Sequence, residues 1–189
     1  RDDGGPSSKQ FRVFGGGPAD TLGHEAAAKI GVACMREVLE IPGARQLSWN
    51  FETHDHWISS EHIKLLLDAI SDPAFGALWD MGHPFRVLGE TPAATLAALG
   101  PRLRYTHVKD AVRAPHHPLA LTEKDGQKIW RYVEPGAGEL QLAEGVHLLR
   151  QAGDEGWLCF EHEKRWIKGL PEPEEIFPQF VTWARRVLA

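Results

Sequence analysis

The chain has 189 residues, 42% of them hydrophobic and 25% charged, the balance of an ordinary globular protein with one sizeable core. Its net charge of −5 and pI near 6.1 argue against a nucleic-acid partner held by a basic face. No apolar run approaches the roughly 20 residues that a membrane span needs, so no membrane partner is expected.

The opening stretch, Arg1-Asp2-Asp3-Gly4-Gly5, is polar, without a signal-like apolar core and without a leading Met. A fragment, a processed form or a trimmed form is therefore expected. Cys34 and Cys159 lie far apart with no CxxC pairing, which reads as two reduced, buried thiols of a cytoplasmic protein.

Phe11-Arg12-Val13-Phe14 is a short strand pattern that ends in Gly15-Gly16-Gly17. Those glycines read as a permissive turn, or as a backbone cradle for a phosphate. Residues 23–40 carry Ala, Ile, Val and Leu at helical spacing, and Ile41-Pro42-Gly43 stops them. Leu47-Ser48-Trp49-Asn50-Phe51-Glu52 alternates apolar and polar, as a strand does. Ser59-Ser60 ahead of Glu61 predicts an N-capped helix that runs to Ile70 and ends before Asp72-Pro73.

Residues 75–81 form the next apolar strand, Thr91-Pro92 opens an Ala/Leu helix, and residues 103–108 are strand again. The stretch 113–134 is rich in Pro, His and charge, with Asp125-Gly126 as a turn. It reads as an elaborated loop or hairpin with a strand near 129–133. A helix over 140–152, a strand over 157–160 and an amphipathic helix over 173–188 complete the chain. Such alternation predicts parallel strands joined by right-handed crossovers, in a doubly wound sheet or a barrel.

Ionisable residues fall at the strand ends. Glu52, Asp80, His107 and Glu161 are spaced by 28, 27 and 54 residues, close to one, one and two strand–helix units. Alone, either of the first two reads as a solvated loop carboxylate, and His107 as a semi-buried imidazole. In a parallel barrel all strand ends face one mouth, so the four converge; in an open sheet they stand in a row. Convergence favours the barrel. Two Glu, one Asp and one His make a hard, mostly oxygen ligand set suited to Mn²⁺, Mg²⁺ or Co²⁺, with Zn²⁺ also acceptable. Mn²⁺ is the first expectation.

Four strand-end motifs carry a family resemblance: Glu52-Thr53-His54-Asp55, Trp79-Asp80-Met81-Gly82-His83-Pro84, Thr106-His107-Val108-Lys109-Asp110 and Phe160-Glu161-His162-Glu163. With Pro135-Gly136-Ala137-Gly138-Glu139 they resemble the xylose isomerase-like TIM-barrel superfamily. The closer resemblance is to its sugar phosphate isomerase/epimerase branch, which includes inosose dehydratases, hydroxypyruvate isomerases and ketose 3-epimerases.

The resemblance covers residues 11–188 and implies an α/β fold, a TIM (β/α)8-type barrel in one domain over residues 1–189. It implies Glu52, Asp80, His107 and Glu161 as ligands of one divalent metal. It implies His83 and Arg113 as contacts to substrate oxygens, with Lys109 and His54 as further candidates and His162 at the mouth. The implied substrate is a small sugar or polyol. Glu52 and Glu161 act as acid and base on opposite faces of a hydroxyketone, through an enediolate. Proton return to the same carbon gives epimerisation, return to the neighbouring carbon gives isomerisation, and loss of a β-hydroxyl gives dehydration.

About six of eight strand–helix units are legible, and the strand at Phe11 resembles the family's third, so the first two are expected to be missing. A barrel short of two staves exposes strand edges, and is expected to be marginal or to pair with another copy as a homo-oligomer. Poor metal binding and lost activity are then expected of the fragment, with the 113–134 insertion covering the site or making a dimer contact. Two readings of other classes compete: a DNA-repair nuclease of the endonuclease IV type, which needs more histidine ligands than are evident, and a non-catalytic sugar-binding barrel.

Overall fold

The computed structural model describes residues 9–16, 19–122 and 128–189. Five strands form one curled parallel sheet: β1 Gln10–Val13, β2 Ser48–Glu52, β3 Phe75–Asp80, β4 Leu103–Val108 and, after two further strands in the chain, β7 Leu158–Phe160. Their order in space is β1-β2-β3-β4-β7, so every connection within the sheet returns in parallel. All six residues of β3 are buried, as expected where a central parallel strand is covered on both faces.

Helices cover the outer face. α1 Ala19–Leu22 and α2 His24–Leu39 follow β1, α3 Ser60–Ala69 follows β2, and α4 His83–Leu88 and α5 Pro92–Leu99 follow β3. α2 buries Ala28, Val32, Met35 and Leu39 along one stripe, and α3 buries Ile63, Leu66 and Leu67 at the i, i+3, i+4 spacing. The start of α3 differs in its chemistry from the expected cap: Ser59 precedes the helix, but its side chain makes no capping bond. Thr91 does cap α5, accepting the Ala94 N–H at 3.3 Å. The two short helices α1 and α4 lack the length that makes a helical period visible in sequence.

Of the expected strand patterns, residues 129–133 fall outside the parallel sheet. β5 Asp110–Arg113 and β6 Trp130–Val133 pair antiparallel as a separate two-stranded ribbon. The expected turn at Asp125-Gly126 and the third glycine, Gly17, lie outside the described residues. The buried carboxylate of Asp110 anchors the ribbon: it accepts N–H bonds from Ala111, Gly136, Gly138 and Leu140 at 2.8–3.3 Å. α6 Leu142–Gln151 and α7 Pro173–Leu188 flank β7.

The expectation of two buried thiols needs correcting. Cys159 is half-buried, but Cys34 is exposed, because it lies off the buried stripe of α2. Among the described residues no helix is long and apolar enough to cross a membrane.

A candidate metal and active site

Glu52 ends β2, Asp80 ends β3, His107 is the last residue but one of β4, and Glu161 follows β7 directly. Strand alternation turns these four side chains to the concave face. There they meet: one ligand atom from each lies within 4.8 Å of all the others. Glu52 and Asp80 are fully buried and His107 nearly so, while the Glu161 side chain keeps 20% of its surface.

Each member is held by neighbours. Asp80 Oδ1 accepts the N–H groups of Gly82 and His83 at 2.8 and 2.9 Å, which leaves Oδ2 turned to the cluster. Thr53 Oγ1, fully buried, accepts the Asp80 N–H at 2.9 Å. His107 Nδ1 lies 2.9 Å from Glu52 Oε1 and 3.5 Å from Glu161 Oε2. Lys109, 3% exposed, places its ammonium 2.9 Å from Asp80 Oδ2, against Glu161 Oε2, and 3.3 Å from Glu163 Oε1.

These neighbours set the charges. Burial alone would lower the His107 pKa, but Glu161 and Glu52 outweigh it and raise it to about 9. Burial pulls Glu161 upward, yet His107 and Lys109 hold its carboxyl well below the usual range. Burial pulls Asp80 upward, yet it too is lowered, by Lys109 and, in the acid range where its imidazole is protonated, by His83. Burial brings His83 down to about 4, leaving it neutral, and Asp80 opposes this only in part.

The donor set fits a divalent cation. Asp80 Oδ2 and Glu161 Oε2 are buried carboxylate oxygens without an aligned hydrogen bond, which Lys109 meets as an ion pair only. Donor atoms within 4.8 Å of one another need close only slightly on one ion, since opposite donors with bonds of about 2.0–2.2 Å stand about 4.0–4.4 Å apart. Buried oxygens of this kind ordinarily have a partner.

A model of the xylose isomerase-like TIM barrel matches residues 8–187. The chain belongs to that family. Among curated proteins it is similar to the inosose dehydratase of Yersinia enterocolitica (serotype O:8 / biotype 1B), 29% identical over 111 residues, which cover 56% of this chain and 37% of that protein. Among solved structures it resembles the IOLI protein with a bound zinc atom, with a TM-score of 0.72 and 17% identity over 95% of this chain and 62% of that one. The probable 3-DHS dehydratase AsbF of Bacillus anthracis gives 0.71 and 16% over 94% and 63%, and the D-allulose 3-epimerase of a Methylomonas species, solved with D-allulose, gives 0.66 and 15% over 94% and 62%. At these identities the structures establish the fold alone, and the chain spans less than two thirds of each relative.

Within this xylose isomerase-like framework the remaining expected residues separate. Lys109 sits inside the cluster. His83 lies beside it, Nδ1 3.7 Å from Asp80 Oδ2 and 3.1 Å from the Thr53 carbonyl. His54 stands on the rim, its ring 5.0 Å from that of His83 and 5.2 Å from that of the exposed Phe14. Arg113 does not join them: it is exposed at the end of β5, with its guanidinium 5.2 Å above the Trp130 ring. His162 points away, its Nε2 2.9 Å from the Pro171 carbonyl and its ring stacked on Phe160.

Two charged neighbours escaped the sequence reading, Arg12 and Glu163. Glu163 had a signal, since it sits two residues after Glu161. An arginine in a short strand has none.

Proposed function

We propose that this chain carries the active site of a divalent-metal-dependent sugar or sugar-phosphate isomerase or epimerase. The observation that carries the reading is the meeting of Glu52, Asp80, His107 and Glu161 within 4.8 Å at one mouth, from four different strand ends. Glu52, Asp80, His107 and Glu161 would hold the metal, and Mn²⁺ suits this set best. The metal supplies Lewis-acid polarisation of a substrate carbonyl, which acidifies the adjacent C–H.

Glu52 and Glu161 are the acid and base: one takes the α-proton of a hydroxyketone and the other returns one, through an enediolate. Glu161 is the member of the pair that faces the mouth, since its side chain keeps 20% of its surface while Glu52 keeps none. His83, neutral and directed by the Thr53 carbonyl, faces Lys109 Nζ with Nε2 at 3.4 Å and would reach a substrate hydroxyl only in exchange for that contact. Lys109 and His54 complete the polar wall, and Arg113 is the least supported contact by its position. A second reading, dehydration of an inosose-like polyol at the same residues, is favoured by the similarity to inosose dehydratase.

The test is elemental analysis of the chain after incubation with Mn²⁺ and dialysis, beside Glu161→Gln. Because the four donors already meet in this chain, about one equivalent in the parent and much less in the variant is expected, against the poor binding expected from the sequence pattern. The loaded protein is then screened in D₂O with ketoses and inososes for α-proton exchange. Metal bound equally by both proteins would sink the four-ligand assignment.

A further inference from the structure

Arg12 lies on β1, in register with Asn50 and so two residues short of Glu52 on the same face. Its side chain runs along the concave face to the two glutamates. Nε donates to Glu52 Oε2 at 2.5 Å, and an outer guanidinium nitrogen lies 3.6 Å from Glu161 Oε1. The other oxygen of each glutamate, Glu52 Oε1 and Glu161 Oε2, faces His107 Nδ1 at 2.9 and 3.5 Å. The four carboxylate oxygens are thereby sorted into an outer pair on the arginine and an inner pair on the cluster.

We infer that Arg12 is a positioning residue: its Nε–H fixes Glu52 so that it offers one oxygen, and only one, to the cation held by the cluster, while its charge draws the outer oxygen of Glu161 the same way. The inference rests on the metal-site reading above. A planar guanidinium has donors fixed in direction, and these can hold a carboxylate against rotation in a way that a point charge cannot. Glu52 has no side-chain exposure, so no water competes for the oxygen that Arg12 occupies. Partners that hydrogen-bond a metal ligand typically change metal affinity 10–100-fold when removed.

The test compares Mn²⁺ affinity, by titration calorimetry, for the parent, Arg12→Gln and Arg12→Lys, with Glu161→Gln as the control for the site itself. Both Arg12 variants are expected to bind at least about tenfold more weakly. Arg12→Lys decides the point, because it keeps the charge and removes only the directed donors. The Co²⁺-loaded forms supply a second readout. Freeing the outer oxygen of Glu52 lets it bind through both oxygens, so the visible absorption of Arg12→Lys should differ from that of the parent.

Parent-like affinity in Arg12→Lys would show that charge alone matters and would overturn the positioning role. So would tighter binding in Arg12→Gln, which would mark Arg12 as a competing cation. Should the parent fail to bind Mn²⁺, the metal-site reading itself falls. Should the parent bind, Glu161→Gln fail and both Arg12 variants match the parent, only the present inference falls.

Discussion

His107 and Glu52 meet at 2.9 Å although β3 runs between their strands. Neighbouring strands lie about 4.8 Å apart, so in a flat sheet the backbones of β2 and β4 would stand nearly 10 Å from each other with side chains parallel. The curl of the sheet tips the inward side chains toward a common axis. The contact is therefore a direct consequence of barrel-like curvature, and it also sets the protonation state of the imidazole.

Because Glu161 and Glu52 overcome burial and raise His107 to about 9, its folded pKa lies above the ordinary 6.5. The stability it contributes is fully present below pH 6.5 and is lost as pH rises through about 9. In chelator, the urea midpoint should fall across that window, by at most about 3 kcal/mol in unfolding free energy. His107→Gln should flatten the curve there. A parent curve that is already flat from pH 6.5 to 9 would contradict the assignment.

Lys109 pairs with three carboxylates from a site with 3% exposure. Lys109→Met should cost about 3–5 kcal/mol in chelator, the usual result of removing one partner of a buried ion pair. Saturating Mn²⁺ should recover part of the loss, since a cation bound only to the folded state stabilises it by mass action. Urea unfolding with and without Mn²⁺ measures both; a loss below about 1 kcal/mol would place Lys109 among solvated pairs.

Asp110 satisfies four backbone N–H groups, and Gly138 packs directly on it: an added Cβ would lie within 2.7 Å of the Ala111 carbonyl oxygen and closer still to the Asp110 carboxylate. Asp110→Ala should destabilise by about 2–4 kcal/mol, given that each orphaned buried donor costs about 1–3 kcal/mol and the losses overlap. Gly138→Ala should do comparable damage by forcing the loop off its anchor. Thermal melts that leave either variant at the parent midpoint would show that the ribbon is held by other contacts.

Strand and helix periods, the four strand-end residues and their spacing were legible because each is a local property of the chain. Alternation needs only neighbouring residues, and a carboxylate at the end of each successive strand shows in the spacing alone. Lys109 and His83 were within reach for the same reason, being two and three residues from a strand-end ligand candidate. The capping of α3 was not: Ser59 has the right chemistry, but whether its hydroxyl bonds the helix depends on the approach of the chain.

Tertiary structure decided what depends on curvature and on side-chain reach. It put Arg12, named in sequence only as part of a short strand, onto the outer oxygens of Glu52 and Glu161. It turned Arg113 away with the ribbon and turned His162 onto Phe160, although both stand near strand ends in the chain. Sequence spacing determines which strand end carries a group. Only the bend of the sheet and the rotamers it permits determine which of those groups share one small, water-poor volume, where charges act on each other strongly enough to matter.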